Sequence, residues 1–511
     1  MIYLSHNLFL LVKASTLSKI GDNMKQAFNP YTPINEYIPD AEPHVFGDRV
    51  YIYGSHDKEN GEFFCMLDYV TYSAPIDNLR DWRYEGVIYK ASQDPLYKEY
   101  RYMYAPDVVV GNDGRYYLYY SLADTHACSN IMSVAVADSP VGPFEYLGVV
   151  KNPDGTPLQD YIIFDPGLIN DDGHIYLYYG VWYDWDERPD YTSEQSIKKQ
   201  MEMYRKTREE IESTPGGVQG PVCVELENDM LTVKHKPRRI FPAVYTDTPF
   251  GKHQFFEASS MRKIGNKYYF IYSTFTNQEL AYATSDYPDR DFQYGGVLVS
   301  NGDVYYKGRL PKDRLARTGN THGSIENING EWYVFYHRQT RKNEYSRQAC
   351  AEKIEILENG FIPQVEMTSC GLNGGPLVAE GEYSSFISCN LTDGNLPHGT
   401  FDYECPHLTS RGNDYFAAEI HKGTMMGFKY FDFKDVKKIG INYQSGERTP
   451  KGKVYIKTDL EGAPIGEIKI EDTKGWTWID SDVSLENGTY PVYFIYEGDG
   501  TIEIKDIRFL K

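Results

Sequence analysis

Several common signatures are missing from this chain of 511 residues. Its seven cysteines (65, 128, 223, 350, 370, 389, 405) are scattered, with no CxxC pair and no Cys/His ligand spacing. That excludes a zinc module and a disulfide scaffold, and leaves reduced, mostly buried thiols as the expectation. Positive charge is short: the formal net charge is −21, so nothing offsets phosphate repulsion, and nucleic acid or an anionic membrane is excluded as a partner. Long apolar runs are also lacking. The "LFLLV" at 8–12 has no basic segment before it and no small-residue cleavage site after it. No membrane association is therefore expected, and the location is read as cytoplasmic, with secretion as the alternative. "MKQAFNPYTP" from Met24 reads as a more natural protein start, which leaves residues 1–27 as an N-terminal segment outside the fold.

Ala- and Leu-rich helical stretches are scarce too. What abounds is aromatic: 15% of residues, dominated by 46 Tyr, which points to an all-β protein whose tyrosines line strands and a polar ligand site.

The informative feature is a repeat. Five segments share an acid or His, a few residues, a turn Gly and an alternating aromatic strand. They begin at Asp40 ("DAEPHVFGDRVYIYGS"), Asp107 ("DVVVGNDGRYYLYYS"), Asp165 ("DPGLINDDGHIYLYYG"), Glu257 ("EASSMRKIGNKYYFIYS") and His322 ("HGSIENINGEWYVFYH"). Their glycines lie 7, 7, 8, 8 and 8 residues on, and successive leads are 67, 58, 92 and 65 residues apart. Each unit reads as a strand, a hairpin and a second strand with period-two aromatics. Units of roughly sixty residues, each a small sheet, predict a five-bladed β-propeller over 28–369. In such a fold the five leads would face one another across the mouth of a central funnel. The long gap is explained by an insertion, residues 192–213. They read as one helix with a Thr192/Gln195 capping box and an apolar face of Ile197, Met201, Tyr204 and Ile211.

Acids converging in a funnel are costly, because like charges raise one another's pKa. Glycoside hydrolysis uses that cost: one carboxyl stays protonated to donate to the leaving oxygen, and another stays ionised to activate water. At this point the motifs resemble glycoside hydrolase family 43, the five-bladed arabinofuranosidases, β-xylosidases and arabinanases. "IPDAEPHVFGDRVYIYGS" resembles the family's base motif, "YIIFDPGLIND" its donor-tuning motif and "QFFEASSMRKIGNKYYFIYS" its acid motif. "YMYAPDVVVGNDGRYYLYYS" resembles its second-blade segment, with Tyr104 where Trp is usual. "GNTHGSIENINGEWYVFYHR" resembles the fifth-blade His motif and "YSRQACAEKIE" the late Arg element. The base motif departs in one respect, since Asp40 is followed by Ala41 and the Pro comes after Glu42; Glu42 stays open as the rival base.

The resemblance implies catalytic roles for Asp40 (base), Asp165 (tuning) and Glu257 (acid), and single-step inversion with the base and acid carboxyls about 6.5–9.5 Å apart. It implies an oligosaccharide or polysaccharide substrate, either exo release of arabinofuranose or xylose from hemicellulose or endo-arabinanase action. A non-catalytic glycan-binding propeller is the alternative from outside enzymology. Candidate substrate contacts are Asp107, Tyr104, Phe256, His322, Arg347 and Trp182. Asp107 reads equally as a buried structural acceptor, Arg347 as a salt-bridge residue, and Trp182 with Trp185 as blade-edge packing. No cofactor is required. Some family members hold calcium in the channel, which makes His322 a candidate metal contact beside its readings as a core histidine or a sugar contact.

"CGLNGGPL" at 370–377 marks a boundary. Beyond it, short strands over 370–511 predict a β-sandwich. It resembles family 6 carbohydrate-binding modules, in which Trp476 or Trp478 would stack on sugar; a purely structural sandwich is the other reading.

Overall fold

The computed structural model describes residues 25–125, 128–181, 192–243, 250–276 and 278–511. The apolar run at 8–12, Met24, Trp182 and Trp185 lie outside them.

Five antiparallel sheets follow one another along the chain. The first comprises β1 (Glu42–Phe46), β2 (Arg49–Tyr53), β3 (Tyr69–Pro75) and β4 (Arg83–Tyr89). The second has β5 (Tyr102–Val110), β6 (Tyr116–Ala123), β7 (Cys128–Ala137) and β8 (Glu145–Val149). The third has β9 (Gly167–Asp171), β10 (His174–Tyr179), β11 (Val222–Leu226) and β12 (Arg238–Arg239). The fourth has β13 (Phe255–Ile264), β14 (Lys267–Thr274), β15 (Glu279–Ser285) and β16 (Gln293–Ser300), and the fifth β17 (Ser324–Ile328), β18 (Glu331–Gln339) and β19 (Arg347–Ile354).

The aromatic alternation follows from how these blades pack. On β6, Tyr117 and Tyr119 join a core with Leu168, Ile175 and Leu177 of the third blade. Leu118 and Tyr120 point the other way, into a core with Tyr53 and Tyr69 of the first. Each blade is thus buried on both faces, and successive residues of its second strand serve different cores. The same division puts Tyr269 and Ile271 against Ile325 and Tyr336, and Phe270 and Tyr272 against Tyr178. Every such side chain contributes about 1.5–3 kcal/mol by leaving water.

The ring closes at the fifth blade. Beside β19, Asn29 exchanges side-chain hydrogen bonds of 2.9 and 3.0 Å with the backbone of Ala351, and the Tyr31 N–H donates to the Ala349 carbonyl (3.2 Å). A parallel bridge joins Ala41 to Gly323. At Gly323 an added Cβ would lie 1.8 Å from the Phe335 carbonyl oxygen, so only glycine permits this approach.

Among the described residues, the insertion between β10 and β11 holds two helices, where the sequence predicts one: α1 (Glu194–Tyr204) and α2 (Arg208–Ser213). Ser193, not Thr192, caps α1, and the break falls at Arg205, which is left-handed (φ 53°). Thr207 and Glu210 then form a capping box for α2. Ile197, Tyr204 and Ile211 are buried as expected, whereas Met201 is exposed and Gln200 turns inward.

The C-terminal region is a sandwich of two six-stranded sheets. Met425–Phe433 and Gly488–Asp499 lie at the heart of one, Lys438–Ser445 and Ile502–Leu510 at the heart of the other. Phe428, Phe431, Ile441, Phe494, Ile507 and Phe509 fill the space between. It docks on the propeller through buried polar groups: Lys429 Nζ lies 3.0 Å from Asp303 and 2.8 Å from Glu366. Arg341 reaches back to Glu59 (2.6 Å) and Tyr37 (2.9 Å) while donating to Ser410 of the sandwich (3.2 Å). All seven cysteines are free. Among the described residues no helix is long and apolar enough to cross a membrane.

Candidate active site

A propeller's innermost strands begin at one mouth, and the second strand of each hairpin ends there. A cavity of about 590 Å³ opens at that mouth. Asp40, Asp165, Glu257, His322 and Arg347 line it, with an aromatic wall that includes Phe63, Phe64, Tyr104, Phe164 and Phe256.

Four of the five sequence leads meet on this cavity; Asp107 does not. The reason is turn length. Asp40, Asp165 and His322 each stand six residues ahead of the last paired residue of their strand, Phe46, Asp171 and Ile328. Glu257 stands seven ahead of Ile264, in a strand with register shifts on either side of Glu257. Asp107 is only three residues ahead of Val110, because its hairpin has a longer loop. Counting from the turn glycine hid this, and Asp107 lies deeper in the channel. There it is fully buried and accepts hydrogen bonds from Val108 N (2.6 Å), Leu168 N (2.7 Å) and His44 Nε2 (2.6 Å). The assignment of Asp107 as a substrate contact is corrected: its oxygens are saturated by the fold.

Glu42 is likewise below the cavity, 1% exposed and held by Arg262 Nη2 at 3.1 Å and Ser260 Oγ at 3.2 Å. Burial and the neighbouring Asp107 push its carboxyl up to about 8. Asp40, two residues ahead of β1, reaches the cavity and Glu42 does not.

Asp40 is held in a left-handed conformation (φ 59°). Arg347 Nη1 donates to it at 3.0 and 3.3 Å. Arg347 is itself fixed by Asp57, through Nε at 2.8 Å and Nη2 at 2.9 Å, and its guanidinium lies 4.8 Å from the Phe64 ring centroid. The Asp40 N–H donates to His337 Nδ1 (3.2 Å), and His337 Nε2 faces the Asn320 carbonyl at 3.0 Å, where it donates. Burial favours protonation of Asp40, but the guanidinium outweighs it and holds the carboxyl well below the usual range.

The other two acids move the opposite way. Burial, together with the negative charge of Asp40, raises Glu257 to about 8. Burial and repulsion from Glu257 and Asp40 raise Asp165 well above its usual value, while the Ala258 N–H donates to it at 3.0 Å. His322 Nδ1 lies 3.6 Å from Asp165 and 3.9 Å from Asp40. Burial lowers His322 to about 4, so it is neutral at pH 7. Two titratable groups pushed apart in one cavity is the arrangement acid–base chemistry requires.

Sequence reasoning missed Asp57, His337 and Phe63/Phe64. Asp57 follows β2, at the strand end that returns to the mouth, and that position was the available signal. In the sandwich, Trp476 packs on Phe416 and donates to Asp414 (3.0 Å), and Arg508 covers Trp478.

With the site in view, comparison with known proteins decides the lineage. The model of glycosyl hydrolases family 43 matches residues 33–362. The chain belongs to glycoside hydrolase family 43. It is 43% identical over 500 residues to a xylosidase/arabinosidase of Thermoclostridium stercorarium, covering 94% of this chain and 98% of that one. A Bacteroides ovatus xylosidase/arabinosidase is 31% identical, covering 60% of this chain and 87% of its own length. A family 43 enzyme of Xanthomonas citri, solved with xylose, superposes with a TM-score of 0.50 at 25% identity, covering 65% of this chain and 92% of that one. The protein is therefore a glycoside hydrolase built as a family 43 propeller with a C-terminal sandwich.

Proposed function

We propose that the enzyme is an inverting pentosidase that releases arabinofuranose or xylose from arabinoxylan or arabinan fragments. One observation carries the reading: Asp40, Asp165 and Glu257, from three different blades, share one cavity while their proton affinities are driven in opposite directions. The relatives named xylosidase/arabinosidase supply the sugar class.

In this mechanism Glu257 carries the proton at pH 7 and delivers it to the glycosidic oxygen. Asp40, kept ionised by Arg347, takes a proton from the water that attacks the opposite face of the ring. Buried together, Asp165 and Glu257 repel each other as carboxylates, so Asp165 is itself raised well above its usual value and tunes the donor as its partner. The charge of Asp40 helps to hold the proton on Glu257. Phe64, Tyr104, Phe164 and Phe256 offer faces for the sugar's C–H surface. Two carboxyls accomplish the reaction without a redox or group-transfer cofactor.

Among the described residues His322 Nε2 and Glu42 Oε1 are buried without a partner, and these are the atoms that would face a calcium ion in the channel. Water would complete such a shell, since the hard cation prefers oxygen. It would orient hydroxyl groups at the cavity floor. The deeper trio of Glu42, His44 and Asp107 fits less well, because His44 and Asp107 already face each other at 2.6 Å and Arg262 occupies Glu42 Oε2.

The test is hydrolysis of nitrophenyl α-L-arabinofuranoside and nitrophenyl β-D-xyloside by wild type and Glu257→Gln. Turnover of at least one by wild type, with loss in the variant at pH 7, supports the reading. Equal turnover by both proteins removes Glu257 as the acid.

A further inference from the structure

We propose that the C-terminal sandwich supplies part of the substrate cavity, with His398 and Thr400 forming a subsite for the leaving-group sugars of an oligosaccharide. This rests on the pentosidase reading above and names residues beyond the stretch matched by the family model, which ends at 362.

The segment from 396 to 401 leaves the sandwich and lies along the loop that carries His322 into the site. Thr318 N donates to the Pro397 carbonyl (3.3 Å) and Gly399 N to the Thr318 carbonyl (2.9 Å), a short parallel pairing between the two domains. Arg314 and Arg317 donate to the carbonyls of Leu396 and Gly399. Phe401 N donates to the Lys342 carbonyl (3.0 Å), and its ring lies 5.1 Å from the Arg317 guanidinium. Gly399 is left-handed (φ 74°), and a Cβ there would stand 3.3 Å from the Glu344 carboxyl. The strap is held along its length, and the buried Lys429 network anchors the domain it comes from.

His398, Gly399 and Thr400 consequently line the same cavity as the three acids, beside Asn320 and Glu344. The acids are buried at its floor, whereas His398 and Thr400 are exposed at its rim. A sugar that reacts at the floor directs the rest of its chain outward, toward that rim. The groups there are of the type that recognises hydroxyls. Thr318 Oγ1 meets His398 Nδ1 at 3.0 Å, which fixes the ring and leaves Nε2 to bond a ligand. Thr400 Oγ1 donates to Glu344 at 3.4 Å, so the pair presents a hydroxyl and a carboxylate together. Pre-held polar groups of this kind discriminate between substrates at little ordering cost.

The experiment compares kcat/KM for xylotriose with kcat/KM for nitrophenyl β-D-xyloside, using the full chain, in wild type, His398→Ala and Thr400→Ala. The expected result is a fall in the xylotriose-to-aryl ratio of about five- to tenfold, the worth of one or two neutral hydrogen bonds, expressed chiefly in KM. Thr400→Ala removes only an exposed hydroxyl and keeps the test valid where His398→Ala fails to fold, as judged by its thermal midpoint. An unchanged ratio in folded variants overturns the subsite. A wild type inactive on both substrates and on nitrophenyl α-L-arabinofuranoside overturns the pentosidase reading instead, and this inference with it; where only the arabinofuranoside turns over, the same ratio is read with arabinotriose.

Discussion

Arg347 Nη1 stands 3.0 Å from the carboxylate of Asp40, and Asp57 holds the other side of the same guanidinium at 2.8 and 2.9 Å. The base is therefore kept charged in a dry cavity by a cation whose own position is fixed. Replacing Arg347 by Met leaves Asp40 buried without its counter-charge, and its pKa rises. The acid limb of kcat/KM should move to higher pH, with activity at pH 5 falling more than activity at pH 7. A limb that stays in place separates Arg347 from the ionisation of Asp40.

Glu257 predicts the alkaline limb. Its affinity for the proton is raised to about 8, so the donor is loaded below that pH and lost above it. Wild-type kcat/KM should decline as pH rises through about 8. Glu257→Gln should lose about 10²–10⁴-fold on xylo-oligosaccharides. The loss should be much smaller on a dinitrophenyl glycoside, whose leaving group departs without protonation. Equal losses on both substrates argue against proton donation by this residue.

Asp107 carries the opposite expectation. It ties the Leu168 N–H, the Val108 N–H and His44 together below the cavity. Asp107→Ala leaves those donors unpaired and should cost about 1–3 kcal/mol of stability for the groups stranded. The kcat/KM of the folded fraction should stay within about threefold of wild type. Urea unfolding and active-fraction kinetics read the two effects separately.

Lys429 ties the two domains. Its side chain is 1% exposed and that of Asp303 0% exposed. Lys429→Met leaves Asp303 as an uncompensated buried carboxylate and should destabilise the protein by about 3–5 kcal/mol. A change under 1 kcal/mol in chemical unfolding means that the contact contributes little.

The propeller was legible because each blade's second strand is buried on both faces, and this forces alternation that sequence displays directly, as in "YYLYY" and "KYYFIYS". Asp40, Asp165, Glu257 and His322 were legible because each stands six or seven residues ahead of the last paired residue of its inner strand. Asp107 was misread since its hairpin loop is longer while its glycine keeps the same offset. Other members of the site depend on contacts across the chain. His337 reaches Asp40 over 297 residues, Asp57 reaches Arg347 over 290, and His398 meets Thr318 over 80. No local pattern encodes such pairings. The helical insertion was read as one element because its apolar spacing persists across Arg205, whose left-handed backbone has no compositional mark.

The most direct test of the two-carboxyl mechanism is the anomeric form of the first product, followed by proton NMR during rapid hydrolysis of xylotriose or an aryl β-D-xyloside. Water delivered by Asp40 from the face opposite Glu257 should give α-xylose first, with the β anomer appearing only by mutarotation. β-Xylose as the initial product would mean that a carboxylate attacks the sugar itself, and would contradict the assignment of Asp40 as a base acting through water.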